Sequence, residues 1–90
     1  MDIQIQAFRD LVNQHVDVTV KAGTGELIAS VSTTLDGFVL ANDNLSPPEN
    51  MYQRSWSQVG GGGPNQTHVV VVTVIDPDGN QSIGSKTWQD

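Results

Sequence analysis

The sequence predicts an α+β fold, with one N-terminal helix packed on an antiparallel β-sheet of four to six strands. Three observations lead there. Residues 68–75 read His-Val-Val-Val-Val-Thr-Val-Ile, β-branched almost throughout, which suits a pleated strand and penalises a helix. Valines outnumber leucines twelve to five, which favours sheet over helix bundle. The stretch from Asp2 to Asn13 carries the one helical pattern, with Ile3, Ala7 and Leu11 at i, i+4 and i+8 and Phe8 and Val12 widening that face. The runner-up is a small all-β sandwich or barrel with the helix appended.

Taken in order, Asp2 is placed to cap the helix or to complement its dipole. Val16, Val18, Val20 and Ala22 then alternate with Asp17, Thr19 and Lys21, so 16–22 is a half-buried strand. Gly23-Thr24-Gly25 turns the chain into a second strand, 26–34, and the two are expected to pair as a hairpin. Asp36-Gly37 signals another turn, and a third strand begins at 38–41. Ala41 to Asn50 holds Asn42-Asp43-Asn44 and Pro47-Pro48 and reads as a surface loop. A short strand, 51–57, places Tyr52 and Trp56 on one face. The glycines 60–63 admit no regular element, and they lack the Lys-Ser/Thr end and following helix of a phosphate-binding loop.

The strand over 67–76 anchors the fold. Val70, Val72 and Val74 lie on one side of it and Val69, Val71 and Ile75 on the other, so it is expected to be central and covered on both faces. Should one face prove exposed, that face becomes the better surface for a partner or for self-association. Asp76-Pro77-Asp78-Gly79 supplies a turn into a last strand, 81–88. Such a hairpin occurs in β-sandwich domains, but the leading helix and the short length point away from a complete sandwich.

Ninety residues make a single domain, and 24 of them are Leu, Ile, Val or Phe, enough for a thin core. The net charge is −6, and the only basic residues, Arg9, Lys21, Arg54 and Lys86, are scattered. Nucleic acid needs a basic stripe, so nucleic-acid binding is excluded, and anionic membrane surfaces are disfavoured for the same reason. The chain has no cysteine, which removes disulfides, thiolate catalysis and Cys-based zinc sites. No signal peptide or membrane-length apolar run is visible, so a cytoplasmic location is the expectation.

The chemistry-bearing residues form no catalytic pattern. His15 and Asp17 share a strand face, but no third ligand or orienting group accompanies them. Asp76, Asp78 and Asn80 resemble a calcium loop only in part: Gly79 and Thr87 stand where the EF-hand spacing wants neither. No Gly-x-Ser-x-Gly elbow exists. No cofactor is expected. The function reading is a non-enzymatic binding or interaction module, either a small subunit of a larger assembly or a loop-presenting inhibitor. The alternatives are a small carboxylate/histidine enzyme and a purely structural protein. The candidate binding surface is Tyr52, Arg54 and Trp56, flanked by Pro47 and Pro48 on one side and Gly61 and Gly62 on the other. An aromatic–Arg–aromatic run between two irregular segments fits a protein, peptide or glycan partner.

Overall fold

Seven strands and no helix make up the described residues, which are 1–10, 13–57 and 66–89 of the computed structural model. They are β1 (Asp2–Asp10), β2 (Asn13–Lys21), β3 (Ile28–Leu35), β4 (Phe38–Glu49), β5 (Met51–Ser57), β6 (Thr67–Ile75) and β7 (Gln81–Gln89). One sheet has the order β1-β2-β5 and the other β4-β3-β6-β7, antiparallel throughout. The sheets pack face to face around one core, in a Greek-key order of the kind found in immunoglobulin-like sandwiches.

The expected α+β class is therefore corrected to all-β, and the appended helix of the runner-up is absent too. Ile5 explains the error. Ile3, Ala7 and Leu11 are four apart, a spacing that satisfies a helical period and a strand period equally. In a helix Ile5 would point away from Ile3. In β1 it joins Ile3 and Ala7 on the inner face, opposite Val20, Val18 and Val16 of β2, while Asp2, Gln4, Gln6 and Phe8 face out. Leu11 and Val12 lie outside the described residues.

The expected hairpin of 16–22 with 26–34 is also corrected. β2 pairs with β1 and β5, whereas β3 pairs with β4 and β6. The turn at Gly23–Glu26 does form, with Gly25 at φ 79° and Glu26 N donating to Gly23 O at 3.0 Å. It carries the chain across the sandwich instead of back along the same sheet. The apolar faces of β2 and β3 thus meet through the core, where Val16, Val18, Val20, Ile28 and Val31 are fully buried.

The presumed loop 41–50 is instead the greater part of β4. Asn and Asp are poor strand formers, but β4 is an edge strand whose ladder runs only to β3, and pairing with a formed sheet overrides local propensity. The register slips between Ile28↔Glu49 and Ser30↔Asn44, so Leu45–Pro48 bulge out of the ladder. Prolines are tolerated there because they have no N–H to pair. The Ser46–Pro47 peptide is cis.

β6 is central, as expected, but covered on one face only. Val70, Val72 and Val74 are buried, while Val69, Val71 and Thr73 are half-buried and Ile75 is exposed. The two hairpin turns are as read. Asp36 and Gly37 both have positive φ (51° and 85°), the type I′ requirement that Asp-Gly meets. Asp76 closes the β6–β7 turn by accepting from the N–H groups of Asp78 and Asn80 at 2.9 and 2.8 Å. Its carboxyl is held below the ordinary carboxylate value, first by the Asn80 backbone bond.

Both sides of the sandwich are closed by side chains. On one, Gly84 of β7 lets β1 approach: a Cβ there would lie 2.8 Å from Ile3 Cγ2 and 3.1 Å from Ile3 Cβ. At one end, His68 (4% exposed) packs tilted at 31° against Trp88, ring centroids 5.4 Å apart, and Trp88 Nε1 donates to the buried Gln14 on the opposite sheet at 3.2 Å. His68 Nδ1 pairs with Asp36 Oδ2 at 2.6 Å, and Asp36 Oδ1 accepts from Val69 N at 2.8 Å, which ties the β3–β4 turn to the start of β6. On edge strand β7, Lys86 registers with buried Val70 yet stays exposed at the rim.

Two predictions follow from this packing. Val72→Asp puts a lone carboxylate in the core and should leave the chain largely unfolded at neutral pH, whereas Val71→Asp, on the outer face, should cost only about 1 kcal/mol in a thermal melt. Gly84→Ala should cost about 1–3 kcal/mol by overpacking against Ile3. Combined with Ile3→Ala it should cost less than the two changes summed, the coupling expected of residues in contact.

Candidate functional site

Alternation along β5 puts Tyr52, Arg54 and Trp56 on one side, in register with Val20, Val18 and Val16. That is the core-facing side of an edge strand, so the three side chains line the seam between β5 and β4. Tyr52 Oη donates to Asp43 Oδ2. Arg54 Nη1 donates to both oxygens of the same carboxylate, at 2.8 and 2.9 Å. The Arg54 guanidinium also lies 5.3 Å from the Trp56 ring centroid. Trp56 packs against the core, and its Nε1 is buried without an acceptor among the described residues, so the indole contributes packing.

The electrostatics follow from this geometry. The Tyr52 hydrogen bond, aided by Arg54 and opposed by partial burial, holds Asp43 below its ordinary 3.8. Burial, with the Asp43 carboxylate beside it, raises the Tyr52 phenol above its ordinary 10.0. The structure thus gathers Tyr52, Arg54 and Trp56 into a clasp between sheets, with Asp43 as the member that sequence reasoning missed. Pro47 and Pro48 sit exposed on the β4 bulge. Gly61 and Gly62 lie outside the described residues.

The histidines are likewise tied into the fold. His15 stacks on Phe8 at 4.8 Å and 12°, on the outer face of the three-stranded sheet, and His68 is the buried partner of Asp36. Among the described residues no three of His, Cys, Asp and Glu stand close enough to hold one metal ion. A depression of about 510 Å³ lies beside the Gly23–Gly25 turn, where Glu26 faces the N-terminal ammonium at 3.8 Å.

A different surface emerges from the ladder registers. The outer face of the four-stranded sheet carries Val69, Val71, Thr73 and Ile75 from β6. Opposite them stand Thr34, Ser32 and Ser30 of β3 and Thr87, Ser85, Ile83 and Gln81 of β7. From β4 come Val39, Asn42 and Asn44, the register partners of Thr34, Ser32 and Ser30. Among the described residues, no charged one stands on this face. Ile83 and Val39 are 63% and 60% exposed, and Ile75 37%. The outer face of the three-stranded sheet, by contrast, carries Asp2, Asp17 and Lys21. The signal was present in the sequence as charge-free alternate positions, but only the registers bring four such strands onto one plane.

Compared with family models, with curated proteins and with solved structures, the chain matches none.

The clasp has a pH signature. Asp43 has a depressed folded-state value, so its contribution to stability is present above the ordinary 3.8 and is lost as the pH falls through the folded value. The melting-temperature gap between wild type and Asp43→Asn should be full at neutral pH and narrow below about pH 4. Tyr52→Phe should cost about 1–2 kcal/mol at neutral pH, since it removes a hydrogen bond to a charged acceptor.

Proposed function

We propose that this chain is a non-catalytic protein-binding module that docks through the outer face of its four-stranded sheet. The observation that carries the reading is the absence of charge among the described residues of that face in a chain of net charge −6, together with Val39, Ile75 and Ile83 standing exposed there. A sheet face turned to water normally carries charged side chains, and a contiguous uncharged patch with exposed aliphatics marks an interaction surface. Among the described residues the face holds no aromatic platform for stacking sugars, which favours a protein over a glycan. The Tyr52–Arg54–Trp56 run supports binding less strongly, because its guanidinium and phenol are spent on Asp43. An enzymatic reading finds no support in the histidines, one stacked on Phe8 and the other held under Trp88.

Side-chain footprinting by hydroxyl radicals tests this. Val39, Ile75 and Ile83 should label strongly in the dilute purified chain and be protected when the chain is returned to an extract of its own cells. Protection confined to Phe8, Met51 and their neighbours, or to the Tyr52–Trp56 strand, would move the docking surface elsewhere.

A further inference from the structure

We infer that the occupant of the uncharged face is a second copy of this chain, the two four-stranded sheets packing face to face in a two-fold dimer. The inference rests on the docking surface proposed above and names its partner.

Three features of the molecule point to self-recognition. The first is charge. Two copies each carrying −6 repel one another, and most approaches bring acidic groups together: Asp2 and Asp17 on the opposite sheet, Asp36 at one end, Asp76 and Asp78 at the other. Among the described residues, the uncharged face is the broad surface that adds no charge to the contact. A basic partner would be drawn to the acidic surfaces instead, so this face selects against it.

The second is self-complementarity. A two-fold interface places the same patch on both sides. Here Val69, Val71 and Ile75 of interior strand β6 form an aliphatic band, flanked by Ser30, Ser32 and Thr34 on β3 and by Gln81, Ser85 and Thr87 around Ile83 on β7, with Val39 on the β4 rim. Rotating one copy onto the other sets band on band and hydroxyl or amide on hydroxyl or amide, so no apolar group is forced against a charge. Two twisted sheets pack this way about 10 Å apart, as the sheets within the chain already do.

The third is size. Four strands at about 4.8 Å spacing and about eight residues at about 3.4 Å rise present a plane of roughly 500 Å². Two such planes bring the buried total to about 1,000 Å² before side-chain relief is counted, the lower limit for a specific interface.

Sedimentation equilibrium of the purified full chain tests the inference, with Ile83→Lys and Val39→Lys as face variants and Gln4→Lys on the opposite sheet as control. Each lysine makes the chain less negative than −6, so any weakening cannot come from greater overall repulsion. Both positions are well exposed, so the fold should tolerate the change, and thermal melts verify this. Wild type should sediment at twice 9.7 kDa, and the face variants should dissociate about tenfold more readily or worse, while Gln4→Lys behaves as wild type. Added salt should tighten the dimer, because it screens the mutual repulsion of two acidic copies and breaks no ion pair in the interface. A wild type that stays monomeric up to about 0.5 mM would overturn the second-copy inference and leave the docking reading to the footprint. A dimer that both face variants leave unchanged, or that salt disperses, would overturn the inference and the docking surface together.

Discussion

The structure depends on a layer of valines. Val16, Val18 and Val20 of β2 face Val31 of β3 and Val70, Val72 and Val74 of β6, and all are buried. These come from the interior strands of both sheets, so every other strand is attached to the layer from outside. Valine suits the task. Its branched, stiff side chain loses little freedom in a strand and fills the space between two sheets about 10 Å apart. Burying each one contributes about 1.5 kcal/mol or more, which a thin 90-residue core needs from nearly every position. One polar side chain, Thr33 of β3, is fully buried in register with Val72, its Oγ1 without a partner among the described residues, and the others lie at the margins. Gln14 and His68 sit at one end and Asp43 at the side seam, each held by a named hydrogen bond.

Much of this was legible in the sequence, and the failures have identifiable causes. The strand over 51–57, the β6 run and both Asp-Gly turns were read close to their observed bounds, because β-branching and turn chemistry are local properties. β1 was misread because a spacing of four fits both periods, although Ile5 alone separated them. β4 was misread because its Asn, Asp and Pro residues are judged by propensity, while its existence depends on the β3 edge. Pairing β2 with β3 failed for a related reason: a tight glycine turn reverses a chain within a sheet or passes it between sheets, and the residues of the turn do not distinguish the two. At the candidate site, alternation puts Tyr52 and Trp56 on one face, as the structure has them, and Arg54 lies between them on the same side. That Asp43 meets them depends on β4 lying across the seam from β5, which no local pattern announces.

The sandwich plan by itself carries no function, since unrelated binding, structural and catalytic proteins share it. What distinguishes this chain is where its charge goes. Acidic residues occupy the turns, the outer face of the three-stranded sheet and the β4–β5 seam, while the β-branched strands that build the core also surface the other sheet. One compositional property therefore serves two purposes. The same valines and threonines that, with Ile75, make β6 a strand supply core on one side and an uncharged exterior on the other.

The two rims of that sheet decide how far association can go. β7 carries Lys86 at a position in register with the core, and β4 carries Pro47 and Pro48 on a bulge that has left the ladder. Inward charge and proline are both obstacles to another strand adding alongside. Growth by strand addition regenerates a fresh edge at each step and so has no natural end, whereas stacking of flat faces consumes the sticky surface as it forms. On the docking reading proposed above, rims blunted in this way favour small closed assemblies over fibres.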